Sequence, residues 1–175
     1  MTATVTLEIV SSEDMPAFKS RMQRAFTMSV QDEFPDHPEH IPPERDIDES
    51  LAAPGAEALQ IVCDGEFAGG AIASGSRADK MLDFIFIDPE YQNKHIGLAA
   101  WNAIEARYPN ATHWELVTPY FEKRNIHFYV NRCGFVITEY FNEHHVDPNH
   151  PEDQTGDYPG EDSGMFKFEK TIVRS

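Results

Sequence analysis

Apolar and polar positions run in short blocks along this chain, and the period of the pattern changes from block to block. Residues 4–10 alternate weakly and are rich in β-branched side chains, which predicts a first strand. Ser11-Ser12-Glu13-Asp14 then offers a helix cap, and Met15, Phe18, Met22, Ala25, Phe26 and Val30 follow at helical spacing as a core-facing stripe. Pro35, Pro38, Pro42 and Pro43 break the next stretch, and residues 46–51 form a short second helix ended by Ala53-Pro54-Gly55. Two strand-like runs, 58–63 and 66–74, are joined by Asp64-Gly65, a strong two-residue hairpin signal. Residues 81–87 are almost wholly apolar, so both faces of that strand are expected to be covered. Asp88-Pro89 ends it. From Ile96 to Arg107 the period is helical, with Ile96, Ala99, Ala100, Ala103 and Ile104 on one face and Asn102 and Glu105 on the other.

Pro109-Asn110 closes that helix, and a strand follows at 112–118. Trp114 and Leu116 share one of its faces; His113, Glu115 and Val117 share the other. A short helix at 122–131, a strand at 135–141 and a half-buried strand at 165–173 complete the chain. The order β-α-α-β-β-β-α-β-α-β-β describes a mixed α/β fold: an antiparallel meander leading into a strand–helix–strand unit, expected as a right-handed parallel crossover.

Composition narrows the classes. A chain of 175 residues, 41% apolar and 25% charged, suits a single globular domain, with a polar, acidic insertion at about 142–164. The net charge of −16 disfavours nonspecific binding to nucleic acid or anionic membranes, permits a cationic partner and serves solubility. Cys63 and Cys133 belong to no Cys-x-x-Cys pair, and two buried thiols fit a reducing, cytoplasmic compartment. No apolar run approaches the length of a membrane span, and no signal peptide is visible. A homodimer is left open.

Between the central strand and its helix lies Gln92-Asn93-Lys94-His95-Ile96-Gly97. A loop entering a helix N-terminus presents free N–H groups and the positive end of the helix dipole, a ready seat for a phosphate. Gly97 lets the backbone approach such a ligand. On the loop alone, an ordinary strand-to-helix turn fits equally well.

The run from Ile85 to Leu98, IFIDPEYQNKHIGL, resembles the acyl-CoA-binding motif of the GNAT acyltransferase superfamily, Arg/Gln-x-x-Gly-x-Gly/Ala after the fourth strand. A second stretch from Asn125 to Phe135, NIHFYVNRCGF, resembles that family's later signature of an Asn, an aromatic-Tyr pair and Gly-Phe. The element order matches over essentially the whole chain. Two positions differ from the pattern. His95 stands where the first Gly is usual, a place His accepts at negative φ. Tyr129 lies five residues before Gly134, where four is the family spacing.

The resemblance implies an acetyl-CoA-dependent N-acetyltransferase. Its pantetheine arm would run along Ile85, Phe86 and Ile87, pairing with backbone groups of Phe86 and Ile87. The pyrophosphate would sit on backbone N–H groups of Asn93, Lys94, His95, Ile96, Gly97 and Leu98, with Gln92 opening the motif and Asn125 touching the cofactor. Acetyl transfer requires a neutral amine, a donor for the developing oxyanion near Ile87, and an acid for the leaving thiolate, whose unperturbed pKa is about 8.5. Tyr129 is the expected acid and Glu115 the expected base, with Asp83, Glu33 and His113 as rivals. No Cys/His/Asp set argues for an acyl-enzyme, so direct attack by the amine is expected.

By the same resemblance, residues 31–46 and 142–164 would form the acceptor pocket, and their acids suit a cationic amine. His37, His40, His144, His145 and His150 lack ligand spacing, and no metal is expected. Acetylation of a protein N-terminus or lysine is the second enzymatic reading; a non-catalytic acyl-CoA sensor is the third.

Overall fold

The computed structural model describes residues 4–36, 41–92, 95–149 and 164–173. They fall into two compact units, Met1–Ala111 and Thr112–Ser175. The element order is the expected one, and the secondary structure follows the hydrophobic periods closely.

In the first unit, strands β1 (Val5–Ile9), β2 (Glu57–Cys63), β3 (Glu66–Gly75) and β4 (Asp79–Ile87) form an antiparallel meander. Asp64 and Gly65 both take positive φ, 51° and 86°, the conformation that closes a two-residue hairpin in line with strand twist. Helix α1 (Met15–Glu33) starts where the Asp14 N–H donates to the Ser11 hydroxyl, with Pro in its first turn. It buries Phe18, Met22, Ala25 and Val30. Helix α2 (Glu44–Ala52) adds Ile47 to the same cluster, which rests on Ala58, Ile72 and Phe86 of the sheet. Each such large side chain contributes about 1.5–3 kcal/mol through burial.

Gly70 makes that packing possible. It lies opposite Phe86, and the Phe18 and Phe86 rings meet edge to face above it, centroids 5.7 Å apart. A Cβ on Gly70 would stand 2.4 Å from the Phe18 ring and 2.8 Å from that of Phe86. Helix α3 (Ile96–Arg107) belongs to a second cluster, in which Ile96 joins Cys63 and Ala68, with Val5, Ile87 and Tyr91 alongside.

β4 is packed on both faces, as expected: Phe84 and Phe86 join the α1–α2 cluster and Ile87 joins that of α3. Leu82 and Phe86 are buried, but Met81, Asp83, Phe84, Ile85 and Ile87 are only half-buried. The strand is not regular: Ile72 lies opposite Phe84 and Ala73 opposite Leu82, so Asp83 is an extra residue in a bulge.

In the second unit, β7 (Met165–Thr171) lies between β5 (His113–Pro119) and β6 (Val136–Phe141), antiparallel to both. Trp114, Leu116, Thr118 and Phe168 are buried, while His113, Glu115 and Val117 are half-buried, in the alternation the sequence predicts. Helix α4 (Lys123–His127) runs directly into a π-helical turn over Phe128–Arg132. Most of the acidic insertion, residues 150–163, lies outside the described residues.

Candidate active site

The end of β4 sets the backbone geometry of the first unit's contribution. Asp88 donates its N–H to Ala68 at 2.8 Å, and Phe86 lies opposite Gly70 in the same register. In an antiparallel pair, hydrogen-bonding residues alternate. Asp88 and Phe86 therefore bond β3, whereas Ile85 and Ile87 turn their N–H and C=O groups to the other side. This corrects the expectation for Phe86: its backbone is engaged by β3 and its ring by Phe18. The outward groups come from the two isoleucines, and the Gln92 amide donates to the Ile87 carbonyl at 3.3 Å.

Beyond β4 a short 3-10 turn, Pro89–Tyr91, leads toward α3. Asn93 and Lys94 lie outside the described residues. His95 is the N-cap of α3 at φ 58° and ψ 26°, in the left-handed region, so the negative φ that would let His stand there without strain is not adopted. His is among the side chains that tolerate this region better than most, though Gly occupies it without penalty. No side chain caps the helix. The N–H groups of Ile96, Gly97 and Leu98 open the helix, where no intrahelical acceptor exists for them. A pyrophosphate fits this arrangement, with the helix dipole adding to the attraction.

Asp88, read in the sequence only as a strand terminator, proves buried. Arg21 of α1 forks to it, 2.5 Å to Asp88 and 3.0 Å to Gln60, and Arg24 pairs with Glu90 in the following turn. These ion pairs tie α1 to the end of β4. The second Asp88 oxygen is buried without a hydrogen-bond partner.

In the second unit, Tyr129 is buried against Phe135 and Phe168, ring centroids 6.1 and 5.7 Å away. It sits in the π-helical turn, where Cys133 donates its N–H to Phe128, five residues back. That turn holds one more residue than an α-helical one. It thus absorbs the extra residue between Tyr129 and Gly134 that separates this chain from the family spacing. Burial pushes the Tyr129 phenol above its ordinary value, the Cys133 thiol and Glu122 carboxylate push the same way, and a hydrogen bond with Thr118 opposes them. The hydroxyl therefore stays protonated throughout the neutral range.

Thr118 and Glu122, both buried, were not singled out from the sequence. The even positions of β5 imply an inward Thr118, but no motif marks either residue. Asn125 is half-buried and donates to Glu122 at 3.4 Å.

Glu115 is not brought to Tyr129. The alternation of β5 places it on the face opposite Thr118, in a strip of charge. Its carboxylate lies 3.6 Å from Lys167 and 3.9 Å from His113, and directly opposite Glu169 across the strand pair. Of the rival bases, His113 lies in the same strip, Asp83 at the bulge of β4, and Glu33 is exposed at the end of α1. His144 and His145 are exposed and pair with Glu143 and Glu139; His37, His40 and His150 lie outside the described residues.

Comparison with known proteins gives a consistent result. Residues 20–135 match the model of the Acetyltransferase (GNAT) family. A Bacillus subtilis relative, the uncharacterized protein YrkN, is 44% identical over 175 residues, covering 97% of this chain and 95% of its own. The fold is similar to the ribosomal-protein-S18-alanine N-acetyltransferase of Escherichia coli, with a TM-score of 0.69 and 17% identity over 98% of this chain and 96% of that one. It is also similar to a GNAT family acetyltransferase of Elizabethkingia anophelis crystallised with acetyl-CoA, with a TM-score of 0.70 and 15% identity over 96% and 98%.

Proposed function

This chain belongs to the GNAT acetyltransferase family, and from that premise we propose that it moves an acetyl group from acetyl-CoA to a primary amine of a small molecule, by direct attack without an acyl-enzyme. One observation carries the reading. Ile85 and Ile87 turn their backbone groups away from β3 a few residues before an uncapped helix N-terminus. The strand end suits the amides of a pantetheine arm, and the N–H groups of Ile96, Gly97 and Leu98 suit a pyrophosphate. The Ile87 N–H is then the donor to the oxygen that gains charge as the amine attacks.

The proton that the attacking amine must lose passes to water, and Tyr129 serves the sulfur that must leave. A raised phenol pKa refines the second role. Full proton transfer from such a phenol to a thiolate of pKa about 8.5 runs uphill, so Tyr129 acts as a hydrogen-bond donor to the developing charge. The proton that completes the thiol comes from solvent.

The small-molecule reading draws on the connection between α1 and α2. Ile41 and Pro42 are buried there; the Ile41 N–H donates to the Thr27 hydroxyl at 3.1 Å, and the Gln23 amide donates to the Pro42 carbonyl at 3.1 Å. A connection pinned to α1 in this way favours a compact acceptor over an extended peptide. Acetyl-CoA binding measured by calorimetry, followed by thiol release with small amines and with peptides, tests this. Release that needs a peptide would overturn the acceptor assignment, and binding without any release would replace the enzyme by a sensor.

A further inference from the structure

We propose that His113, Glu115 and Glu169 form a binding site for one divalent transition-metal ion on the charged face of the β5–β7–β6 sheet. The three residues offer one nitrogen and two carboxylate oxygens, all within 4.8 Å of one another and half-buried. His113 and Glu115 stand two apart on one strand and so share a face; Glu169 is the cross-strand partner of Glu115. Nothing in the linear spacing reveals this set, because Glu169 lies 56 residues beyond His113.

The geometry is close to that of a bound ion. Three ligands held at about 2.1 Å around a tetrahedral centre stand roughly 3.4 Å apart. Here His113 Nε2 is 2.9 Å from Glu169 and 3.9 Å from Glu115, so modest side-chain rotations bring both carboxylates to that separation. The electrostatics favour a cation as well. Two carboxylates directly opposite each other on neighbouring strands repel. Glu139 adds a third negative charge, and Lys167 is shared, 3.6 Å from Glu115 and 3.6 Å from Glu139. An ion at the three ligands would leave Lys167 to Glu139 and replace the His113–Glu169 contact. Outer partners are in place: a hydrogen bond with Thr138 holds Glu169. One imidazole with two carboxylates selects zinc, cobalt, nickel or manganese over calcium and magnesium.

This site occupies Glu115, so an ion there excludes proton abstraction by that carboxylate. The test therefore reads binding directly, on the full chain, with neither acetyl-CoA nor amine present. Calorimetric titration with Zn²⁺ and visible absorption with Co²⁺ are expected to give one ion per chain. His113→Ala and Glu169→Gln are each expected to weaken binding about 10–100-fold with the thermal transition retained. Lys167→Met, which removes a competing cation, is expected to tighten it. His113→Gln stands in should His113→Ala fail to fold. No binding, or binding that survives His113 and Glu169 substitution and disappears on changing His145, would overturn the proposal.

Discussion

At the scale of single residues, the proposed transfer chemistry turns on Tyr129. Removing its hydroxyl in Tyr129→Phe leaves the ring in its aromatic cluster, so the fold should hold. Turnover is expected to fall about 10²-fold with little change in the KM for acetyl-CoA, read by thiol release. Unchanged turnover would remove Tyr129 from the mechanism. The same burial has a consequence for stability. Burial and the Glu57 carboxylate, 2.8 Å away, push Tyr108 up to about 12, and burial raises Tyr129 as well. Both phenols hold their protons more tightly in the folded chain than in the unfolded one. Their contribution is therefore whole below about pH 10; that of Tyr108 is lost as pH climbs from there toward about 12, and that of Tyr129 persists to higher pH. Urea midpoints should fall across that window, and a flat profile would contradict the burial assigned to these hydroxyls. Part of the arrangement was legible in the sequence: the opposed faces of Glu115 and Trp114 followed from strand alternation. Thr118, Glu122 and the Asp88–Arg21 pair were not, because each depends on contacts between distant segments that no local pattern encodes.

At the scale of elements, the departures from the family pattern find their reasons in the backbone. One extra residue before Gly134 is taken up by a π-helical turn, which a count of positions registers only as an irregular spacing. His95 occupies a left-handed position whose φ no side-chain pattern announces. Replacing it with Gly relieves a strain of about 1–2 kcal/mol and adds about 0.5–1 kcal/mol of backbone entropy cost. His95→Gly should thus stabilise the chain by up to about 1 kcal/mol in denaturant titration, and a clear loss of stability would show that the His side chain holds the loop. The bulge at Asp83 was not read either, although Asp83 is the one charged residue in the otherwise apolar run 81–87. Gly70 gives the converse test. Gly70→Ala drives a methyl group into the Phe18 and Phe86 rings, and overpacking of this kind costs about 1–3 kcal/mol. A variant as stable as the parent would mean that the two rings are not packed over this glycine.

At the scale of the whole molecule, the fold class was legible because eleven blocks of strand-like or helical pattern map onto the seven strands and four α-helices of the described residues. Family membership rests on the match across residues 20–135 and on a relative that is 44% identical. The acceptor is the point at which sequence and fold give only chemistry: a surface with net charge −16 attracts cationic amines over distances set by ionic strength. The most direct test of the account is steady-state release of CoA from acetyl-CoA across a panel of small primary amines, amino acids and N-terminal or lysine-bearing peptides. The account predicts that small amines accelerate release, cationic ones most, and that the advantage of cationic amines shrinks as salt is raised. Release confined to peptides, or no release from a chain that binds acetyl-CoA, would contradict it.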